Sequence, residues 1–89
     1  MSRYTVVWVK RVEDRLIELW VEAEDREAVR AATHQIDLAL SSEPGGKGGL
    51  MAEGLRWFED GPLRVLFDVR EADRIVEVVA VRRTTPQHS

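Results

Sequence analysis

The sequence predicts an α+β protein in which a hairpin of two helices packs on one face of a four-stranded, mainly antiparallel sheet, in the order β-α-α-β-β-β. Apolar residues recur at helical spacing between residues 11 and 42. Segments rich in β-branched and aromatic residues stand before and after this region, and turn residues separate them. The 89-residue length predicts a single domain over residues 1–83, with a C-terminal tail at 84–89.

Composition argues against several classes of protein. The chain has no cysteine, which excludes disulfides and thiolate metal sites. Its histidines and acids show no metal-ligand spacing, and we expect no cofactor. No apolar run approaches the roughly 18 residues of a membrane span, and the N-terminus predicts no signal peptide, so we expect a cytoplasmic protein without membrane partners. The net charge of −3 disfavours non-specific nucleic-acid binding.

The first three elements follow from local patterns. Residues 3–9, RYTVVWV, predict a strand that is apolar on both alternating sets, and therefore covered on both faces. Residues 11–24 and 24–42 each carry one apolar stripe at helical spacing, and Asp25 is the best candidate for the N-cap of the second helix. A break at residues 23–25 makes the two helices a hairpin.

Turn residues organise the rest of the chain. The segment SSEPGGKGG, residues 41–49, ends the second helix and predicts a linker. It lacks the Gly-Lys-Ser/Thr ending of a phosphate-binding loop. Three further strands are predicted at about residues 50–58, 62–70 and 74–82.

The hairpin between residues 50–58 and 62–70 fits two loops. A two-residue loop, Asp60-Gly61, sets Arg56 opposite Val65, among core residues. A three-residue loop, residues 59–61, sets Arg56 opposite Arg64 and puts glycine at the left-handed third position. This register also gathers the apolar residues on one face (Leu55, Trp57, Leu63, Val65, Phe67 and Val69). We therefore favour it, and it predicts that Arg56 and Arg64 lie side by side on the face away from the helices.

Two arginines side by side repel each other and need an anionic partner. The partner is either a carboxylate, Glu77 or Asp68, which makes the pair ordinary solvated residues, or a phosphate from outside. For the last strand we expect Val76, Val78 and Ala80 in the core. The arginine side would then hold Glu77, Val79, Val81 and Arg83.

Four segments in this order resemble the RelE/ParE superfamily of type II toxin–antitoxin toxins, the plasmid stabilisation type. They are a Y-x-V-x-W strand, a helical hairpin ending in IDLALSSEPGGKG, the pair of strands GLRWFEDGPLRVLFDV, and DRIVEVVAVRR. The resemblance covers nearly the full length. It implies the small α+β toxin fold, a cognate antitoxin that wraps the toxin and covers its site, and growth arrest by the free toxin.

The superfamily divides by mechanism. RelE-like members are mRNA interferases, metal-independent endoribonucleases that cut mRNA on the ribosome, whereas ParE-like members inhibit DNA gyrase without catalysis. RNA cleavage by this fold uses the 2′-hydroxyl as nucleophile, and arginine suits the phosphate because its donors match two oxygens at once. The resemblance implies that Arg64 binds the phosphate, with Arg56 near the positions of the family's lysines. Arg82 and Arg83 stand among its basic C-terminal residues, and His88 is a candidate acid or base.

The sequence departs from RelE-like nucleases at its end. The tail RRTTPQHS has no tyrosine, and the protein is acidic. Three functions stay open: a ribosome-dependent mRNA endonuclease, which we favour, a ParE-like gyrase inhibitor, and a non-toxic relative of the fold. We interpret His34 as an ordinary surface residue. We interpret Tyr4 and the three tryptophans, Trp8, Trp20 and Trp57, as core residues.

Overall fold

The computed structural model describes residues 3–46, 48–52 and 54–84, which form two helices and five strands. The helices are α1 (Lys10–Glu22) and α2 (Arg26–Ser42), and a 3₁₀ turn follows at Pro44–Gly46. The strands are β1 (Thr5–Trp8), β2 (Gly49–Ala52), β3 (Leu55–Asp60), β4 (Leu63–Arg70) and β5 (Ile75–Arg83). Neither helix of the described residues is long and apolar enough to cross a membrane.

The five strands form one mixed sheet in the order β1-β5-β4-β3-β2. β1 runs parallel to β5, and the other neighbours are antiparallel. Both helices pack on one side, which we call the inner face. The core lies there, where Phe67 and Val78 of the sheet meet Leu19 of α1 and Ile36 of α2. The predicted helical hairpin and its N-cap are confirmed, since the Asp25 carboxylate accepts a hydrogen bond from the Ala28 amide at 3.0 Å.

The strand predicted at residues 50–58 is two strands, so the sheet has five strands rather than four. Gly54, with φ of +87°, lies between β2 and β3. Glycine adopts this conformation without the steric cost that a Cβ would add. The additional strand β2 lies at the sheet edge. β1 lies at the opposite edge, and the expectation that both its faces are covered is wrong, because Val7 is 40% exposed.

The β3–β4 register differs from both loops considered above. Asp60 pairs with Leu63, and Arg56 pairs with Phe67. The loop is therefore Gly61-Pro62, where Gly61 has φ of +54°. A two-residue hairpin loop prefers glycine at such a position. The prediction that Arg56 and Arg64 lie side by side is wrong, because this register puts them on opposite faces of the sheet.

A β-bulge changes the end of β5. Leu66 pairs with Ala80 but Phe67 pairs with Val78, so Val79 is an extra residue. Arg11 of α1 donates a hydrogen bond from Nη2 to the Val79 carbonyl at 3.2 Å, which satisfies an acceptor at the bulge. The bulge reverses the alternation beyond it. Val81 therefore lies in the core and Ala80 on the outer face, opposite to the prediction for both.

Candidate functional site

The face of the sheet away from the helices, the outer face, carries residues in cross-strand rows. Glu59, Arg64 and Arg82 pair directly across β3, β4 and β5, and we call them the arginine row. The next row is apolar and contains Trp57, Leu66 and Ala80. The third, the carboxylate row, contains Leu55, Asp68 and Glu77. The sheet register thus places two arginines in one row and two carboxylates in another, farther along the strands.

The arginine row brings two cations together. Arg64 lies directly opposite Arg82, and Arg64 Nη1 is 3.5 Å from Glu59 Oε2. Arg82 forms no ion pair with any residue that the structure describes. Like charges directly opposite each other in a sheet repel. The row therefore has a surplus positive charge that an anion would stabilise.

The Arg64 side chain is held in place by stacking. Its Cζ atom lies 4.6 Å from the centre of the Trp57 ring, a cation–π distance. The indole in turn lies against the backbone of Gly49, because a Cβ at that glycine would be 2.6 Å from Trp57 Nε1. The stack of Gly49, Trp57 and Arg64 orders the guanidinium before any ligand arrives, which lowers the entropic cost of binding.

Arg64 borders a cleft of about 200 Å³ on the outer face. Met51 of β2, Leu66 and Ala80 supply its apolar lining, and Arg64 and Arg82 supply its charge. Arg64 Nε is buried and has no hydrogen-bond partner among the described residues. A buried donor without an acceptor costs free energy, which a ligand oxygen would recover. Cations above an apolar floor suit the phosphate and the base or sugar of a nucleotide.

Arg56 does not belong to this cleft. It lies on the inner face of β3, where its Nη2 donates a hydrogen bond to the Gly45 carbonyl at 2.8 Å. This bond ties the 3₁₀ turn after α2 to the sheet. In this arrangement Arg56 and Arg64 cannot contact the same phosphate.

The other predicted residues fall in different places. Arg82, rather than Arg83, stands beside Arg64, because the bulge at Val79 shifts the register by one residue. Arg83 pairs with the buried Leu63 at the end of the strand and is exposed. His88 lies outside the described residues. The carboxylates predicted to balance the arginines do not contact Arg64, since Glu77 pairs with Arg70 at 3.2 Å.

Two residues of the site escaped the sequence prediction. Trp57 lies on the outer face, where it stacks with Arg64, and not in the core, and Glu59 is the carboxylate paired with Arg64. A sequence signal for both exists. Once Gly61-Pro62 is taken as the loop, strand alternation puts Trp57, Glu59 and Arg64 on one face.

A larger groove of about 750 Å³ lies between the helices, on the other side of the molecule. Its lining includes Trp8, Ile17, Trp20 and His34. Trp8 packs against the core and donates a hydrogen bond to Asp37 at 3.1 Å, but Trp20 is 38% exposed and is not a core residue. The groove lacks the paired cations of the cleft.

The chain's single tyrosine lies far from the cleft. The Tyr4 hydroxyl donates a hydrogen bond to Glu71 at 2.6 Å, just beyond the end of β4 opposite to Arg64. This hydrogen bond to the carboxylate is the main cause that raises the pKa of Tyr4 above its usual value. A raised pKa keeps the phenol protonated, and its position removes it from chemistry at Arg64.

No family model matches the sequence, and no curated protein is significantly similar to it. Solved structures with the same fold are found. The toxin–antitoxin complex RelBE2 from Mycobacterium tuberculosis superposes with a TM-score of 0.78 at 21% identity, covering 94% of each chain. The archaeal RelE-RelB complex from Pyrococcus horikoshii OT3 gives 0.69 at 20% identity, covering 90% of this chain and 93% of the other.

The chromosomal ParDE system from P. aeruginosa gives a TM-score of 0.65 at 17% identity, covering 92% of this chain and 97% of the other. Each comparison spans nearly the whole of both chains. The neighbours include both RelE and ParE proteins, so overall shape does not separate these two groups. The chain has the α+β fold of the RelE/ParE toxins.

Proposed function

We propose that this chain is the toxin of a type II toxin–antitoxin system and acts as a RelE-like, ribosome-dependent mRNA endonuclease. The arginine row is the observation that carries the proposal. Arg64 and Arg82 face one cleft, and Glu59 is the single carboxylate in their row. An acidic protein that concentrates cations at one cleft has a local site for an anion despite its net charge of −3.

The chemistry needs charge stabilisation at phosphorus. The 2′-hydroxyl of the RNA loses its proton to a base and its oxygen forms a bond to phosphorus. The bond from phosphorus to the 5′-oxygen breaks, and the leaving 5′-oxygen takes up a proton from an acid. Negative charge builds on the phosphate oxygens as the new bond forms, and preorganised guanidinium groups stabilise it. Arg64, ordered by Trp57, would hold two of these oxygens, and Arg82 would approach from β5.

The cleft has fewer groups suited to proton transfer than to phosphate binding. The cleft lining, among the described residues, contains no histidine, lysine or tyrosine. His88 remains our candidate for the acid or base, and Arg83 remains a candidate for a second phosphate contact. Positioning and charge stabilisation by the arginines would then supply most of the rate acceleration.

The proposed partner is a cognate antitoxin, as in the RelBE2, RelE-RelB and ParDE structures. The surface beside the cleft suits such a partner. Met51 of the edge strand β2 is 49% exposed and lines the cleft with Arg64 and Arg82, and its chain neighbour Leu50 is 64% exposed. A segment with apolar side chains and a carboxylate would cover both features and block substrate.

A ParE-like gyrase inhibitor is the second candidate. The position of Tyr4, at the far end of the sheet, favours it, because the cleft then lacks the tyrosine common in RelE-like nucleases. A gyrase inhibitor needs no acid or base. In that case Arg64 and Arg82 would bind a protein surface instead of RNA.

The test is a cell-free translation reaction with the purified protein, in which the message is read by primer extension. New 5′ ends that require ribosomes and disappear for Arg64→Gln support the endonuclease. An intact message together with inhibited gyrase supercoiling supports the ParE-like alternative. An intact message with full gyrase activity, and normal growth after expression without an antitoxin, identifies a non-toxic relative of the fold.

A further inference from the structure

We propose that Glu59 is a built-in counter-ion of the phosphate site. Its carboxylate lies on Arg64 where a substrate phosphate would bind, and it lowers the affinity of the cleft for nucleic acid. This inference rests on the proposed function, because it takes the ligand of the cleft to be a nucleic-acid phosphate. Glu59 thereby sets how tightly the protein holds its substrate.

The strand register places Glu59 for this role. Glu59 pairs with Arg64, so both side chains stand on the outer face. Their closest charged atoms, Glu59 Oε2 and Arg64 Nη1, are 3.5 Å apart. A strong charge-assisted hydrogen bond between such groups is about 2.7–2.9 Å long. The carboxylate is therefore close enough to neutralise Arg64 but is held loosely.

The loose pair is open to exchange. The Glu59 side chain is 42% exposed, whereas that of Arg64 is 27% exposed. A solvated carboxylate is displaced at low cost, because exposed ion pairs contribute little to stability. The arginine stays behind on Trp57. A phosphate, which presents several oxygens to the planar guanidinium, makes the better partner.

The site gains donors when the carboxylate leaves. Arg64 Nε is buried without a partner among the described residues, so a small rotation of the guanidinium toward a phosphate would satisfy it. Arg56 Nε is buried in the same way, but Arg56 already donates from Nη2 to Gly45. Arg82 then faces the same anion from across the row.

Removing the charge of Glu59 should strengthen binding. One unit charge within about 4–6 Å of a phosphate in a solvated cleft changes affinity by about three- to tenfold. Glu59→Gln keeps the shape and removes the charge. The gain should depend on Arg64, so adding Glu59→Gln to Arg64→Gln should change affinity by less than about twofold.

The experiment measures fluorescence anisotropy of a labelled single-stranded oligodeoxynucleotide, which lacks the 2′-hydroxyl and cannot be cleaved by its attack. Glu77→Gln is the matched control, because Glu77 is on the same face and pairs with Arg70. Four residues of β4 separate its row from Arg64, ~13 Å at ~3.3 Å per residue. This exceeds the Debye length of ~10 Å at 0.1 M salt.

We expect Glu59→Gln to bind about three- to tenfold more tightly than wild type, and Glu77→Gln to bind within about twofold of it. Equal affinity of the two variants, or weaker binding by Glu59→Gln, would overturn the counter-ion while leaving the phosphate site in place. If circular dichroism shows all three proteins folded and none binds, the phosphate site itself is refuted, and the counter-ion with it.

Discussion

The two ends of the outer sheet face carry the same residue types in inverse proportion. Near Arg70, two carboxylates, Asp68 and Glu77, accompany one arginine, and Glu77 pairs with it at 3.2 Å. In the arginine row, Glu59 is the single carboxylate beside two arginines, and it lies 3.5 Å from Arg64. The charge of an arginine beside two carboxylates is already neutralised, so an anionic ligand would stabilise it little. Two arginines with one loosely held carboxylate keep a surplus positive charge, which an anionic ligand would stabilise.

The comparison shows that net charge is a poor guide to a local site. The excess of acids lies mainly in residues 13–27, which hold seven acids and two arginines. These residues belong to α1, the start of α2 and the segment between them. The sheet separates them from the outer face, so the field at the cleft is set by the rows around it.

The largest expected effect is a difference in cleavage rate between substitutions at the two ends of β4. Arg64→Gln should lower the rate of message cleavage about 100- to 1000-fold, the usual cost of one group that stabilises the transition state. Arg70→Gln removes the same charge from the same strand and face but from the end rich in carboxylates, and it should lower the rate less than about twofold. Rates come from primer extension over time. Equal losses for the two variants would contradict the distinction between the ends.

The second prediction concerns adjacent arginines of β5. Arg82→Gln should slow cleavage about tenfold. Arg82 faces Arg64 across the row, and the substitution removes its proposed charge-assisted contact with the substrate phosphate. Arg83→Gln should slow it by less than about threefold. The same rate measurement serves as the check. A larger loss for Arg83→Gln would mean that β5 lacks the bulge when the protein binds its substrate.

The third prediction tests the support of Arg64. A Cβ at Gly49 would lie 2.6 Å from Trp57 Nε1, so Gly49→Ala must displace the indole on which Arg64 stacks. Overpacking of this kind costs about 1–3 kcal/mol in the free energy of unfolding. Gly45→Ala is the control, because no atom lies within 4 Å of its Cβ position, and it should cost less than about 0.5 kcal/mol.

Urea denaturation gives the free energy of unfolding of both glycine variants. The rate of message cleavage is then measured for each of them. We expect Gly49→Ala to lose activity beyond its loss of folded protein, because the guanidinium is no longer ordered. Full activity in a folded Gly49→Ala protein would mean that the stack on Trp57 has no part in the function of Arg64.

The smallest predicted effect belongs to the end of the sheet away from the cleft. The hydrogen bond to Glu71 raises the pKa of Tyr4 above 10.0, so the bond contributes stability below pH 10.0 and is lost as pH rises through the folded-state pKa. Absorbance titration is specific, because Tyr4 is the single tyrosine. Glu71→Ala should lower the pKa toward 10.0. The exposed Glu24→Ala should leave it unchanged, and an equal decrease in both would exclude the hydrogen bond as the cause.

Much of the fold follows from local patterns in the sequence. The helices follow from their apolar stripes, and the side chain of Asp25 caps α2 as predicted. The positions of β4 and β5 also follow, to within about a residue, from their runs of β-branched residues. These features depend on neighbours along the chain, which the sequence shows directly.

The site was harder to predict because it depends on register. Trp57 is apolar but faces outward, and Arg56 is charged but faces inward, where the Gly45 carbonyl accepts its hydrogen bond. The pattern of apolar residues therefore favoured the wrong loop. A register shift by an odd number of residues moves a whole strand to the other face, so this error placed Arg56 rather than Glu59 opposite Arg64.

The bulge at Val79 was also beyond local patterns. Its carbonyl accepts a hydrogen bond from Arg11, which is 68 residues away in the chain. Contacts of such range leave no periodic signal in a single sequence. The turn at Gly54, by contrast, has a local signal in the sequence, because a glycine inside a strand pattern indicates a break. The prediction of one strand over residues 50–58 did not take this glycine into account.

The bulge makes one extra residue of β5 decide two properties of the molecule at once. Without it, the pairing of Phe67 with Val78 would continue in register, so that Val81 would lie opposite Arg64 and Arg82 opposite Leu63. Val81 would leave the core, and Arg82 would leave the face that carries the cleft. The packing of the core and the charge of the cleft therefore depend on the same residue, and a change that straightened β5 would reduce both together.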